Sequence, residues 1–321
     1  MQNNKANMAH IEQNTTQLRG GWFEGIFQKI TLLNALLVLT SIFGVLLSLV
    51  YSSLETFQTQ GVAFLWTNVW DTVDNHYGAL GPVVGTLITS AIAIILALPV
   101  SVGIAIFLTE LAPVWIRRPL AIAIDLLAAI PSIIYGMWGM FVLAPLFAKY
   151  VQPALRASLG QVPVVGGLFQ GQILGLGVLT AGVVLAVMIV PFITAVVRDV
   201  FEVVPAMLKE SAYGLGATTW EVVRSVVIPY TRIGMVGGVI LGLGRALGET
   251  MAVTFVIGNS HGLNLSLFEP GNSIASTIAN EFAEASDAHL SALLALGLVL
   301  FMITTIVLAL AKWLMSSMNK N

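Results

Sequence analysis

The sequence contains no cysteine. Disulfides, iron–sulfur clusters and thiolate zinc sites are therefore excluded. Charge is scarce too. Asp, Glu, Lys and Arg make up 9% of 321 residues, where a soluble domain carries about 25%. The four histidines are widely separated in the chain, which argues against a histidine-based metal site. A net charge of −2 points to no nucleic-acid partner. No G-x-x-x-x-G-K-[ST] run occurs, so the chain offers no phosphate-binding loop for ATP. Gly242 and Gly244 form only a fragment of a dinucleotide motif, inside an apolar run with no βαβ pattern. The first 25 residues are polar, so no cleavable signal peptide is expected and the first apolar run is expected to stay as an anchor.

What the chain has in quantity is apolar surface, at 57% of residues. Six runs are long enough for a hydrocarbon core of about 30 Å. They cover residues 25–51, 83–111, 120–148, 173–197, 236–258 and 290–313. The expected class is an all-α membrane protein. Pro99 and Pro191 should bend the second and fourth runs, and residues 129–132 should interrupt the third. There Pro131 removes a donor and Ser132 is expected to satisfy a freed carbonyl. The expected divisions are a mobile tail over 1–25, a first span and outer loop over 26–82, a transmembrane domain over 83–313 containing a polar segment at 201–232, and a tail over 314–321. No internal repeat, direct or inverted, is evident.

Six spans put both ends of the chain on one side, and basic residues choose which. Lys5, Arg19, Lys29, Arg117, Arg118, Arg198, Lys209, Arg224, Arg232, Lys312 and Lys320 fall on the side of the termini, against Lys149 and Arg156 opposite. Eleven against two predicts cytoplasmic termini and a cytoplasmic 201–232 segment.

The fifth run carries Arg245 and Glu249, four residues apart and expected on one helix face. A charge at the bilayer centre costs about 2.5–3.5 kcal/mol. Two readings stand. Arg245 meets an anion in transit with Glu249 and the following Thr250 beside it, or the two charges only neutralise each other. Gly234, Gly238 and Gly242 recur every four residues and allow a close helix contact, with a second subunit or within the chain. Trp66 and Trp70 read as a docking surface or as an interfacial belt.

The polar segment between the fourth and fifth runs reads KESAYGLGATTWEVVRSVVIP over 209–229. A helix is expected up to Leu215, then a turn at Gly216 that a β-carbon would crowd. A second helix follows, capped by Thr218 or Thr219 with Glu221 in its first turn. Pro229 is expected to stop that helix. Glu210, Ala212, Gly216, Val226, Ile228 and Pro229 resemble the E-A-A, three residues, G, nine residues, I-x-L-P loop of ATP-binding-cassette (ABC) importer permeases. Ser211 departs from the second Ala, a small-for-small change.

RALGET at 245–250, AIPSIIYGMWG at 129–139 and PGNSIASTIANEFAEA at 270–285 are similar to the phosphate-specific transport permeases, PstC-like. The resemblance implies a MetI-like, type I ABC importer fold of six transmembrane helices in the bacterial inner membrane. It implies phosphate as cargo, no cofactor and no enzymatic step in this chain. It also implies a PstA-like second permease, a PstB-like ATPase dimer coupled through Glu210, Ala212, Gly216 and Pro229, and a PstS-like periplasmic binding protein. The alternatives are a permease for sulfate or molybdate and an ATP-independent transporter. Residues 271–285 are expected to form a surface helix that receives the binding protein.

Overall fold

The computed structural model describes residues 2–163, 165–264 and 266–318, with side chains over 23–317 of these. Lys5, Arg19, Lys320 and residues 319–321 of the expected tail lie outside the side chains so described. The chain divides into two units, Met1–Ser52 and Ser53–Asn321. The first is a single helix, α1 (Gln2–Ser52), which carries helix back through the expected tail.

The second unit runs α2 (Leu54–Gln60), a small hairpin of β1 (Trp70–Asp71) and β2 (His76–Tyr77), α3 (Leu80–Ile106), α4 (Val114–Ala128), α5 (Ser132–Trp138), α6 (Ala144–Leu146), α7 (Gln152–Ser158), α8 (Val178–Glu202), α9 (Ala206–Gly214), α10 (Thr219–Val222), α11 (Ile228–Leu247), α12 (Met251–Thr254), α13 (Ile274–Glu281) and α14 (Asp287–Met318). Six stretches among the described residues are long and apolar enough to cross a membrane: Phe23–Leu65, Leu80–Leu111, Ser132–Ser158, Val178–Glu202, Thr219–Leu247 and Asp287–Ser317.

Prolines explain much of this segmentation. Among the described residues four wide π turns occur, at Phe107–Leu111, Gly139–Leu143, Phe147–Val151 and Val223–Val227. Each ends one residue before a proline's predecessor. Ala112, Ala144, Gln152 and Ile228 each donate to the carbonyl five residues back, and Pro113, Pro145, Pro153 and Pro229 follow them. A proline has no N–H for the regular ladder, and the wider turn absorbs the mismatch. Pro229 therefore does not stop a helix as expected. The helix rewinds there and continues into α11.

The third span also differs from expectation. It begins at Ser132, not residue 120, and Pro131 caps it from outside with extended backbone (ψ 137°). The preceding α4 is a separate amphipathic helix with no buried residue. The carbonyl freed at the break is Leu127 O, and it accepts the Tyr135 hydroxyl at 2.8 Å rather than that of Ser132.

α8 is apolar on all sides, so it is buried at the centre. It packs on α3 and α11 around Ala93, Ala97, Leu185, Ile189, Ile193 and Val197. β-carbons at Gly234, Gly238 and Gly242 would strike Val200, Val196 and Ile193 of α8. The four-residue glycine spacing is thus a contact within the chain. A second core joins Phe64, Tyr77, Ile274, Leu293 and Leu296.

Candidate transport site, connecting segment and outer cluster

α11 ends at Leu247, and the chain breaks through Gly248–Thr250 before α12. Arg245 and Glu249 therefore do not share a helix face. Arg245 lies in the last turn of α11, where the helix's partial negative charge favours a cation. Its guanidinium carbon sits 4.2 Å from the ring centre of Phe192 on α8. Its Nε is buried without a hydrogen-bond partner. Glu249 instead accepts from the Ala252 amide at 3.2 Å, at the start of α12. Among the described residues no ion pair joins the two. Thr250 occupies the N-cap of α12, and its carbonyl accepts from the Thr254 hydroxyl at 2.8 Å.

The two breaks in the sequence meet in space. α5, which follows the Pro131 break, packs on α12, which follows the Gly248 break. A β-carbon on Gly136 would lie 3.1 Å from the Ala252 Cα and the Met251 carbonyl, so any larger residue would push the two helices apart by a few tenths of an ångström. Two chain breaks side by side, one before α5 and one before α12, with the Arg245 guanidinium at the end of α11, resemble the sites that transporters build at helix breaks.

The connecting segment is shaped by its own local bonds. Gly216 has φ +88°, a left-handed conformation. Its amide donates to Tyr213 O and the Ala217 amide to Ala212 O, which together make a Schellman stop for α9. A β-carbon on Gly216 would meet nothing within 4 Å. The glycine is required by backbone conformation, not by the expected crowding. Thr218 then caps α10 in a capping box with Glu221. Glu210 is exposed and Ala212 packs on the core. Leu215 and Trp220 are 90% and 62% exposed, leaving an apolar ridge on this segment. Lys209 pairs with Glu110 at 2.6 Å and ties α9 to the end of the second span. Arg198 bridges Asp125 at 3.4 Å and Asp199 at 3.1 Å, tying α4 to α8.

At the opposite end of the spans lies a cluster that sequence reasoning missed. The Glu281 carboxylate accepts Trp70 Nε1 at 2.9 Å and contacts His289 Nε2 at 2.8 Å and His261 Nε2 at 2.9 Å. Trp70 stacks on His261 and Tyr77 on His289, with interplanar angles of 6° and 3°. Asn272 Oδ1 accepts from the Ser273 amide and the Ser276 hydroxyl, which fixes its amide so that Nδ2 faces His261 Nδ1 at 3.1 Å. A neutral His261 then carries its proton on Nε2, toward Glu281. Burial works against ionising Glu281, but the hydrogen bonds from His261, Trp70 and His289 outweigh it and hold the carboxyl below the usual range. Burial first, then the Glu281 and Asp71 carboxylates, push the Tyr77 hydroxyl up. Two of the separated histidines thus meet on one carboxylate, yet no described group of His, Asp and Glu is arranged to hold a metal ion. Trp70 belongs to this cluster, while Trp66 stays 74% exposed. α13 is half-buried: Ile274, Ala275, Ser276 and Thr277 pack inward, while Ala279, Asn280 and the following Phe282 and Glu284 are exposed at the surface.

A family profile described as binding-protein-dependent transport system inner membrane component matches residues 78–320. A phosphate transport system permease protein PstC of Pasteurella multocida is 58% identical over 95% of this chain and 96% of its own. One of Haemophilus influenzae is 58% identical over 93% and 95%. The chain belongs to the PstC family of transport permeases. Among solved structures, a bacterial ABC transporter involved in import of the polysaccharide alginate aligns with a TM-score of 0.58 at 16% identity, covering 89% of this chain and 95% of that one. The MetNI methionine ABC transporter aligns with a TM-score of 0.51 at 17% identity, covering 75% and 94%. These two show the fold alone, and it is the MetI-like permease fold expected. AIPSIIYGMWG holds the break before α5, and RALGET runs into the break before α12, the helix on which α5 packs. PGNSIASTIANEFAEA is the capped, half-buried α13 that carries Glu281.

Proposed function

We propose that the chain is the permease subunit through which an ATP-driven importer carries inorganic phosphate across the bacterial inner membrane. The observation that carries this reading is the 58% identity to PstC proteins along nearly the whole chain. Those relatives favour phosphate over sulfate or molybdate. The ABC permease family disfavours an ATP-independent carrier.

In this reading Arg245, Glu249 and Thr250 line the anion's path. The unpartnered Arg245 Nε and the absence of a neutralising Glu249 support the role. A phosphate entering a narrow passage loses water, and a guanidinium replaces it with paired charge-assisted hydrogen bonds. Glu249, held at the start of α12 by the Ala252 amide, lines the path without neutralising Arg245. Hydrolysis of ATP belongs to a separate PstB-like dimer that grips α9 and α10 through Glu210, Ala212 and Gly216, with Pro229 where the helix rewinds into α11. The exposed Leu215 and Trp220 support such a contact. A PstA-like permease and a PstS-like phosphate-binding protein complete the assembly. Both termini and the 201–232 segment face the cytoplasm, as the basic residues favour.

The test is uptake of radiolabelled phosphate by vesicles holding the chain with its partner subunits, against excess sulfate or molybdate. ATP-dependent uptake insensitive to both competitors is expected. Uptake without ATP, or abolished by sulfate, would overturn the reading.

A further inference from the structure

A groove of about 790 Å³ runs along the membrane-spanning surface between α8, α11 and α14. Gly234, Gly237, Leu241 and Gly244 form one wall and Leu308 part of the other. Lys312 is the one charged residue lining it. A β-carbon on Gly237 would meet nothing within 4 Å, so this glycine leaves the floor open rather than packing on a neighbour.

We propose that this groove holds one acyl chain of an anionic phospholipid whose phosphate pairs with Lys312. Gly234 to Gly244 spans ten residues, which is about 15 Å of helix. That matches one leaflet of a hydrocarbon core about 30 Å thick. Tyr230 and Trp313 are exposed at the same end of α11 and α14, where aromatic residues mark the headgroup level. Lys312 lies within about two turns of the end of α14, and its side chain is long enough to snorkel to that level. Among the described residues it forms no ion pair. A protein helix seated here would press the ammonium against apolar side chains with no counter-charge, a costly arrangement. A lipid phosphate supplies the counter-charge.

The test is native mass spectrometry of the assembled importer after exchange into equal phosphatidylglycerol and phosphatidylcholine. The wild type should retain phosphatidylglycerol in preference. Lys312→Gln should lower that preference roughly fivefold, the effect of one basic residue near a lipid surface. Gly237→Leu should fill the groove and lower retention of the lipid with Lys312 in place. Equal retention of both lipids by the wild type, or unchanged retention in both variants, would overturn the proposal. A disulfide from Gly237→Cys to a cysteine on α1 or on a transmembrane helix of another subunit would do the same, by showing protein in the groove.

Discussion

The two ends of the membrane-spanning unit are stabilised in opposite ways. At the connecting segment, α9 and α10 are shaped by bonds between near neighbours: a Schellman stop over Ala212–Ala217 and a capping box between Thr218 and Glu221. Their apolar ridge is left open. At the outer cluster, one carboxylate gathers Trp70, His261 and His289 from three other segments, and stacked rings reinforce it. The first end takes its local shape from its own bonds and is anchored to the spans through Ala212, Val222 and the Lys209–Glu110 pair. The second end depends on partners far apart in the chain. A part meant to transmit force from another protein suits the first design, and a rigid cap suits the second.

The strongest way to break the comparison is at Gly216. Gly216→Val places a β-branched residue at φ +88°, a strained conformation. Phosphate uptake should fall by at least about tenfold, the effect of roughly 1.4 kcal/mol, while the spans stay folded. Gly216→Asn should retain part of the uptake, because Asn tolerates the left-handed region and the surrounding space is open. Equal loss in both variants would point back to crowding.

A smaller effect is expected at Glu281. Glu281→Gln replaces a charged acceptor with a neutral one and should cost about 2 kcal/mol of stability, read as a lower melting temperature. The folded carboxyl titrates below its unfolded value. The stabilisation is therefore fully present above the ordinary glutamate range and lost as pH falls through the lowered value. The melting difference between wild type and Glu281→Gln should be constant near neutral pH and shrink in acid. A difference that persists in acid would remove ionisation from the account.

The smallest effect sharpens the same point. Trp70→Phe keeps an aromatic ring for His261 but removes the donor to Glu281. It should cost about 1 kcal/mol, less than Glu281→Gln. A loss as large as that of Glu281→Gln would mean that the indole contributes more than this one hydrogen bond.

The same contrast explains what the sequence made legible. Six spans follow from apolar runs, and the Gly216 stop and Thr218 cap follow from local rules. These hold because their partners are within a few residues. The Glu281 cluster joins positions separated by up to 211 residues, and no periodicity marks such a meeting. Lys209 with Glu110 was hidden for the same reason. The missed boundaries are proline effects. Pro131 starts a span instead of kinking one, and Pro229 is carried through by a π turn. Arg245 was visible as a charge in an apolar run, but its separation from Glu249 depends on α11 ending at Leu247. Gly248 is too ambiguous a signal to predict that end.

The proposed role of Arg245, to meet the anion rather than to be neutralised by Glu249, is decided by phosphate uptake and complex yield in Arg245→Lys, Arg245→Gln and the double variant Arg245→Gln with Glu249→Gln. The structure holds the two charges apart. Arg245→Lys should therefore retain partial uptake, because it keeps the charge but not the planar fork. Arg245→Gln should retain little, and the double variant should assemble normally yet stay inactive. Recovered uptake in the double variant would contradict the account and leave the pair with only a neutralising role.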